Sequence, residues 1–199
     1  MHYLVTGGAG FIGTHLSNYL ISLGHQVTIL DDMSFGDPTK IHLKANLIIG
    51  KIEDSHLCLE VTKDIDGVFH MAAFSRSGPS FDMPEQCHES NALGTLNILQ
   101  ACKKNEVKRV VYSGSSTFYG NKIGVQKEGD LGDCLNFYGL TKHVGELYVQ
   151  QFYRNFGLEC NILRYFNVYG PGQPATGAYA LVLGIFIDRF KKGERLEIH

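Results

Sequence analysis

The sequence predicts an α/β fold, a doubly wound parallel sheet with helices on both faces. Three observations predict it. A short apolar run, Tyr3-Leu4-Val5, passes through Thr6 into a glycine turn and then into helical spacing at Leu16, Tyr19, Leu20 and Leu23. Strand-like runs then alternate with helix-like stretches along the chain. The strand runs are continuously apolar, as strands covered on both faces must be. With 199 residues, 44% hydrophobic and 19% charged, the chain has an ordinary globular composition and enough length for one complete core.

The opening turn carries Gly7, Gly8, Gly10 and Gly13. Residues Gly8 to Gly13 fit G-x-G-x-x-G, and including Gly7 gives G-x-x-G-x-x-G. Glycines let the chain turn tightly and bring bare backbone N–H groups against a pyrophosphate at a helix N-terminus. The strand before and the helix after are the context this pattern requires. Gly24 ends the helix, and Gln26–Leu30 reads as a second strand ending at Asp31-Asp32. An acid about 20 residues past the glycines, at a strand tip, is placed to accept hydrogen bonds from adenosine ribose hydroxyls. No Arg or Lys occurs in Asp31–Asp37 to receive a 2′-phosphate. Asp31, with Asp32 beside it, therefore selects NAD over NADP.

Asn46–Ile49 is a third strand and Asp66–His70 a fourth, with a short helix around Leu57–Val61 between them. Asn91–Lys104 is helical, its apolar face formed by Leu93, Leu96, Ile98, Leu99 and Cys102. Lys108–Ser113 is a fifth strand. Gly120–Leu135 is a polar, glycine-dotted loop of about 15 residues, a length that in compact domains is usually functional or disordered. Asn136–Phe156 is a long helix and Leu158–Tyr165 a sixth strand. A turn cluster, Asn167–Gly172, then leads to a helix over Tyr179–Lys192 and to Leu196-Glu197-Ile198, the start of a strand.

The formal net charge of −2 gives no electrostatic reason to expect nucleic acid or an anionic membrane as partner. The apolar run Ala178–Ile187, about ten residues, is far short of the roughly 20 that span a bilayer. No charged-then-apolar leader opens the chain. Cys58, Cys87, Cys102, Cys134 and Cys160 are odd in number and lack C-x-x-C spacing, which suits reduced thiols in a cytosolic protein. The histidines form no i, i+4 pair near a carboxylate, so no metal site is expected.

Open parallel sheets bind ligands beyond the C-terminal ends of their strands. The candidates there are Asp31, His70-Met71-Ala72-Ala73, Ser113–Thr117 and Tyr165–Asn167. Tyr138 and Lys142 are four apart and share one helix face. An ammonium near a phenol stabilises the phenolate and lowers its pKa from about 10, making tyrosine usable as a general base. Ser115 could then share the proton of a substrate alcohol.

These residues lie in motifs that resemble the extended short-chain dehydrogenase/reductase family of sugar-nucleotide epimerases and dehydratases: TGGAGFIG at 6–13, HMAA at 70–73, NALGTLNIL at 91–99, SGSSTFYG at 113–120, YGLTK at 138–142 and LRYFNVYGPG at 163–172. The resemblance implies a Rossmann-type domain holding NAD tightly. It implies a catalytic set of Ser115, Tyr138 as base, and Lys142, which also holds the nicotinamide ribose. By the same similarity Phe11 and Ile12 lie along the pyrophosphate. Ile52, Ala72 and Ala73 line the adenine and ribose side, Asn91 and Tyr165 lie nearer the rest of the cofactor, and Met71 and Ser113 are further cofactor-binding positions. Ser116, Thr117 and Asn167 match positions near the sugar nucleotide. Where the family often has an adenine-contacting acid after the third strand, this chain has Lys51.

The segment after Ser115 carries an acidic pair in 4,6-dehydratases and a glutamate in nucleotide-sugar decarboxylases. Here it is Ser116-Thr117, neutral groups that hydrogen-bond a sugar but cannot act as a strong acid. The pattern resembles UDP-hexose 4-epimerases. A net dehydrogenase or dehydratase, and a non-catalytic NAD-binding module, stand as rivals. The resemblance also implies a cytoplasmic homodimer paired through the helices of Asn91–Lys104 and Asn136–Phe156. It implies an NAD-binding domain over 1–165 and, over 166–199, the start of a substrate lobe that the family continues for roughly another 100 residues, a second-lobe size.

Overall fold

A computed structural model describes residues 1–173, 175, 180 and 182–196. Six strands form one sheet: β1 His2–Thr6, β2 Gln26–Asp31, β3 Asn46–Ile49, β4 Gly67–His70, β5 Arg109–Ser115 and β6 Glu159–Tyr165. All pairings are parallel, in the order β3-β2-β1-β4-β5-β6. This is the dinucleotide-fold order, and the chain reverses its direction of travel across the sheet between β1 and β4.

Seven α-helices accompany the strands among the described residues: α1 Phe11–Ser22, α2 Ser55–Val61, α3 Pro79–Asp82, α4 Pro84–His88, α5 Thr95–Lys104, α6 Phe137–Phe156 and α7 Val182–Lys192. Local chemistry sets their ends. Asp54 caps α2 by accepting from the N–H groups of His56 and Leu57. Asn136 caps α6 through the Gly139 N–H at 2.7 Å, and Gly157 ends it in the left-handed region at φ 70°, each at its preferred residue type. The short helices α3 and α4 open on Pro79 and Pro84, where a missing N–H costs nothing; they are too short to leave a helical period in the sequence. The helix expected from Asn91 starts as a π-helical segment, Glu89–Gly94, before α5. Gly94 there lies against Ile52, whose side chain a Cβ would approach to 2.6 Å. π-helical turns recur at functional sites.

Each face of the sheet has its own apolar layer. Leu4, Leu30, Val68, Val110 and Tyr112 pack with Cys58, Ile98, Leu99, Cys102, Val149 and Phe152 of α2, α5 and α6. On the other side Val5, Val27 and Ile29 pack with Leu20 of α1. Residues Met1–Phe166 form one compact unit and Asn167–His199 a second, which carries α7. Tyr179, Glu197 and Ile198, expected in a helix and a strand, lie outside the described residues. No helix among those described is long and apolar enough to cross a membrane.

Candidate active site

The site collects at the C-terminal ends of the strands, around the reversal between β1 and β4. There the sequence turns straight from strand to helix, and the glycines make this possible. Gly7 has φ +67°, and a Cβ on it would lie 2.7 Å from the backbone nitrogen of Ala72. A Cβ on Gly13 would lie 2.2 Å from the Gly7 carbonyl oxygen. Bare backbone thus packs strand, turn and helix together. Gly10 is the N-cap of α1 and supplies no side-chain cap, so the first-turn N–H groups, those of Phe11 and Ile12 among them, are left to an outside acceptor. Asp31, 8% exposed at the tip of β2, accepts from the Ala9 N–H and the Met33 N–H at 2.9 Å each. Burial raises its pKa, opposed by these two hydrogen bonds, with neighbouring Asp32 adding to the rise. Each carboxylate oxygen keeps a spare lone pair.

A buried network ties β1 to the far wall. Thr6 Oγ1 accepts from the N–H groups of Met71 and Ala72, each at 3.1 Å, so its own proton goes to His70 Nδ1 at 2.7 Å. Thr95 donates to the Asn91 carbonyl at 2.7 Å, so His70 Nε2–H donates to Thr95 at 3.0 Å. His70 is thereby a neutral imidazole with one tautomer. Burial, reinforced by the charge of Lys142, pulls its pKa to about 3. Asn91, 0% exposed, donates to the Phe74 carbonyl and to Thr141 Oγ1, both at 3.0 Å. Its Oδ1 and the Ser113 Oγ are buried without a partner among the described residues. An open helix N-terminus, a turn with no room for side chains, an acid at the β2 tip and two orphaned polar atoms fit a dinucleotide.

On the β5 side, Ser115 ends its strand opposite Tyr165 of β6. Its hydroxyl is 2.8 Å from that of Thr117, which sits with Ser116 in a short 3-10 turn, Ser116–Tyr119. Tyr138 and Lys142 project from the first turns of α6. Burial raises the Tyr138 pKa, and the Ser115 hydroxyl pulls it back. The Lys142 side chain is 3% exposed, and burial lowers its pKa to about 8, against the charge of Glu146. The expected lowering of Tyr138 by Lys142 is not what the structure has. One-turn spacing stacks the two Cβ atoms, but the lysine stem carries its charge on, to 4.5 Å from the centroid of the Tyr112 ring. The group that offsets burial at Tyr138 is Ser115.

Other expected residues lie in varied surroundings. Asp32 is exposed, and its Oδ1 closes a turn on Ser34 at 2.9 and 2.5 Å. The Ile52 side chain belongs to the core, and its carbonyl accepts from Asn97. Ala73 and Tyr165 are half-buried at their strand ends. Asn167 is exposed in the second unit. Sequence reasoning missed Ser80, whose buried hydroxyl accepts from the Tyr138 N–H at 3.2 Å and donates to the Ser77 carbonyl at 2.6 Å. It also missed the ion pair between Glu146 and Arg164. An acid one turn beyond Lys142, with an arginine in the next strand, was the available signal.

A family model described as the NAD dependent epimerase/dehydratase family matches residues 3–199. The chain is 38% identical to a Methanocaldococcus jannaschii protein provisionally named UDP-glucose 4-epimerase, over 96% of this chain and 63% of that one. It is 36% identical to a UDP-N-acetyl-alpha-D-glucosaminuronate decarboxylase of Bacillus cytotoxicus, over 98% of this chain and 63% of that one. The crystal structure of UDP-glucose 4-epimerase from Thermotoga maritima with UDP-glucose superposes with a TM-score of 0.95 at 34% identity, covering 100% of this chain and 65% of that one. The chain thus spans just under two thirds of the length of these relatives. The strand order, the glycine cradle and a match running from Tyr3 to His199 place this chain in the NAD-dependent epimerase/dehydratase family of extended short-chain dehydrogenases/reductases.

Proposed function

We propose that this chain acts in NAD-dependent epimerisation at C4 of a nucleotide-linked hexose, with a UDP-hexose as the substrate class. The observation that carries the reading is the Ser115 hydroxyl bonded to the Tyr138 phenol at the strand ends on the β5 side, with the buried Lys142 one turn along the same helix, in the same sheet as the glycine cradle. The backbone of Gly10–Gly13, with Phe11 and Ile12, would hold the pyrophosphate. Asp31 would take the ribose hydroxyls, and Lys142 the nicotinamide ribose. Bound NAD supplies a reversible hydride acceptor. Tyr138 would take the proton of the C4 hydroxyl as that carbon is oxidised, and Ser115 would donate to the oxygen that becomes the ketone. Once the 4-keto sugar has turned over in the site and is reduced on its other face, Tyr138 would return the proton. Ser116 and Thr117 hydrogen-bond the sugar. The protein works as a homodimer in the cytoplasm. Leu140 and Leu147, 48% and 44% exposed on α6, suit a helix-paired interface.

A second reading, net oxidation with decarboxylation, is favoured by the Bacillus cytotoxicus relative. The neutral pair Ser116-Thr117 argues against it. The two separate in one assay. An epimerase converts UDP-glucose to UDP-galactose with no net change in NADH absorbance, whereas oxidation of a UDP-uronate releases carbon dioxide or accumulates NADH. Replacing the base, Tyr138→Phe, should lower turnover by about 10²–10⁴-fold with NAD still bound. Near-wild-type turnover in that variant would sink the mechanism.

A further inference from the structure

Lys142 is a nearly buried cation, and something must hold both its position and its charge. We propose that Tyr112 is a positioning residue that grips Lys142 at both ends, its backbone and its ammonium. The inference rests on the reading of Lys142 as the lysine that holds the nicotinamide ribose. Tyr112 lies in mid-β5 with 0% exposure. Its hydroxyl donates to the Lys142 carbonyl at 3.0 Å, and the Lys142 Nζ stands over its ring, 4.5 Å from the centroid. That is within the range at which an aromatic face attracts a desolvated cation. One side chain from the sheet thus fixes where this helical turn sits and where its charge points.

The surroundings are cut to admit this contact. A Cβ on Gly145 would lie 2.2 Å from the Tyr112 hydroxyl oxygen, so glycine at that position lets the phenol reach α6. The other titratable groups around Lys142 are consistent with a retained cation. His70 on β4, with its ring centroid 5.8 Å from that of Tyr112, is locked neutral and adds no opposing charge. Glu146, one turn along α6, and Cys87 on α4 both act to raise the Lys142 pKa. At Tyr138, one turn back, burial opposes a charged phenol and the Ser115 hydroxyl favours it. Burial pushes the Tyr112 phenol itself far up, so the ring remains a neutral hydroxyl donor across the working range.

The test reads Lys142 directly, in the full chain without substrate. Lysine is labelled with ¹³C at Cε, and the Lys142 resonance is identified by its loss in Lys142→Arg. In the wild type its methylene protons should be displaced upfield of the other lysines by the ring current of Tyr112, and the resonance should titrate near pH 8. Tyr112→Leu should abolish the displacement and lower the titration midpoint by about one unit, a tenfold change in protonation equilibrium. Tyr112→Phe keeps the ring, so both signatures should persist, while amide exchange around Lys142–Glu146 accelerates with loss of the hydroxyl bond. A wild-type Lys142 resonance without upfield displacement would overturn the proposal, whether or not Tyr112→Leu folds. So would a folded Tyr112→Leu with an unchanged midpoint. Failure of the epimerase reading would appear instead in sugar turnover and leave these lysine signals as they are.

Discussion

The glycine cradle and the inner face of α6 sit in one sheet but are built from opposite materials. The cradle is backbone: Gly7, Gly10 and Gly13 remove side chains so that strand, turn and helix touch, and its acid, Asp31, is held by two backbone N–H groups. The face of α6 is side chain: Lys142, Glu146, Arg164 and Tyr112 are buried or half-buried groups that pair off, Lys142 with Tyr112 and Glu146 with Arg164. The first arrangement presents unpaired donors to a ligand. The second stores charge away from water and must neutralise it internally.

The sharpest test of that contrast is Arg164→Met. Arg164 donates from Nε to both Glu146 carboxylate oxygens at 3.1 Å and from a terminal nitrogen to Oε2 at 2.8 Å. Its guanidinium also lies 3.7 Å from the Phe118 ring centroid and donates to the Tyr119 hydroxyl. Gly114 leaves space for the carboxylate, since a Cβ there would come within 2.7 Å of Glu146 Oε1. Removing the arginine strands a carboxylate that is 1% exposed, at a cost of about 3–5 kcal/mol. Denaturant unfolding measures this, and adding Glu146→Gln to the variant should restore more than half of the loss. A loss no larger than that of an exposed pair such as Lys63–Glu60 would erase the distinction between the two regions.

The same contrast explains what could be read from the sequence. Four glycines between residues 7 and 13, a strand before them and an acid at the end of the next strand are local signals. Each follows from a constraint on a few consecutive residues, so the cradle and the parallel strand–helix alternation were legible together. Tyr138 and Lys142 were legible through their helical spacing. Their environment was not. Whether the ammonium lies toward the phenol or over Tyr112 depends on where β5 passes beneath α6, and Ser80 reaches Tyr138 across 58 residues of chain. Neither leaves a periodic trace. The π-helical turn before α5 was hidden for a similar reason, since its apolar pattern also suits an α-helix.

The cradle should fail differently from the α6 face. In Gly13→Ala the new methyl meets a backbone oxygen, not the movable end of a side chain. Helix α1 must shift, and its first-turn N–H groups shift with it. Overpacking of this kind costs up to about 3 kcal/mol, and we expect it chiefly in NAD affinity, roughly a hundredfold loss by titration calorimetry. The Lys142 resonance should keep its wild-type titration. If the two change together, cradle and α6 face are one cooperative unit.

The smallest effect carries a sign that the cradle cannot produce. Burial lowers the Lys142 pKa from 10.5 to about 8, so the folded state disfavours the protonated amine by about 3 kcal/mol. Between those two values the unfolded chain binds more protons than the folded one, and stability therefore rises with pH across that window. The penalty is complete below pH 8 and gone above about 10.5. Lys142→Met keeps the stem but removes the charge, so it should be more stable than the wild type at pH 7. The gain is about 2 kcal/mol once the lost contact with the Tyr112 ring is counted. Thermal unfolding at pH 7 and at pH 10 should show the gain shrinking toward zero while NAD affinity stays low at both. A cation kept in place at a net cost to stability is what selection for function leaves behind. A Lys142→Met variant that is less stable at pH 7 would mean that the lysine is structural, and that the α6 face holds its charges for the fold and not for the chemistry.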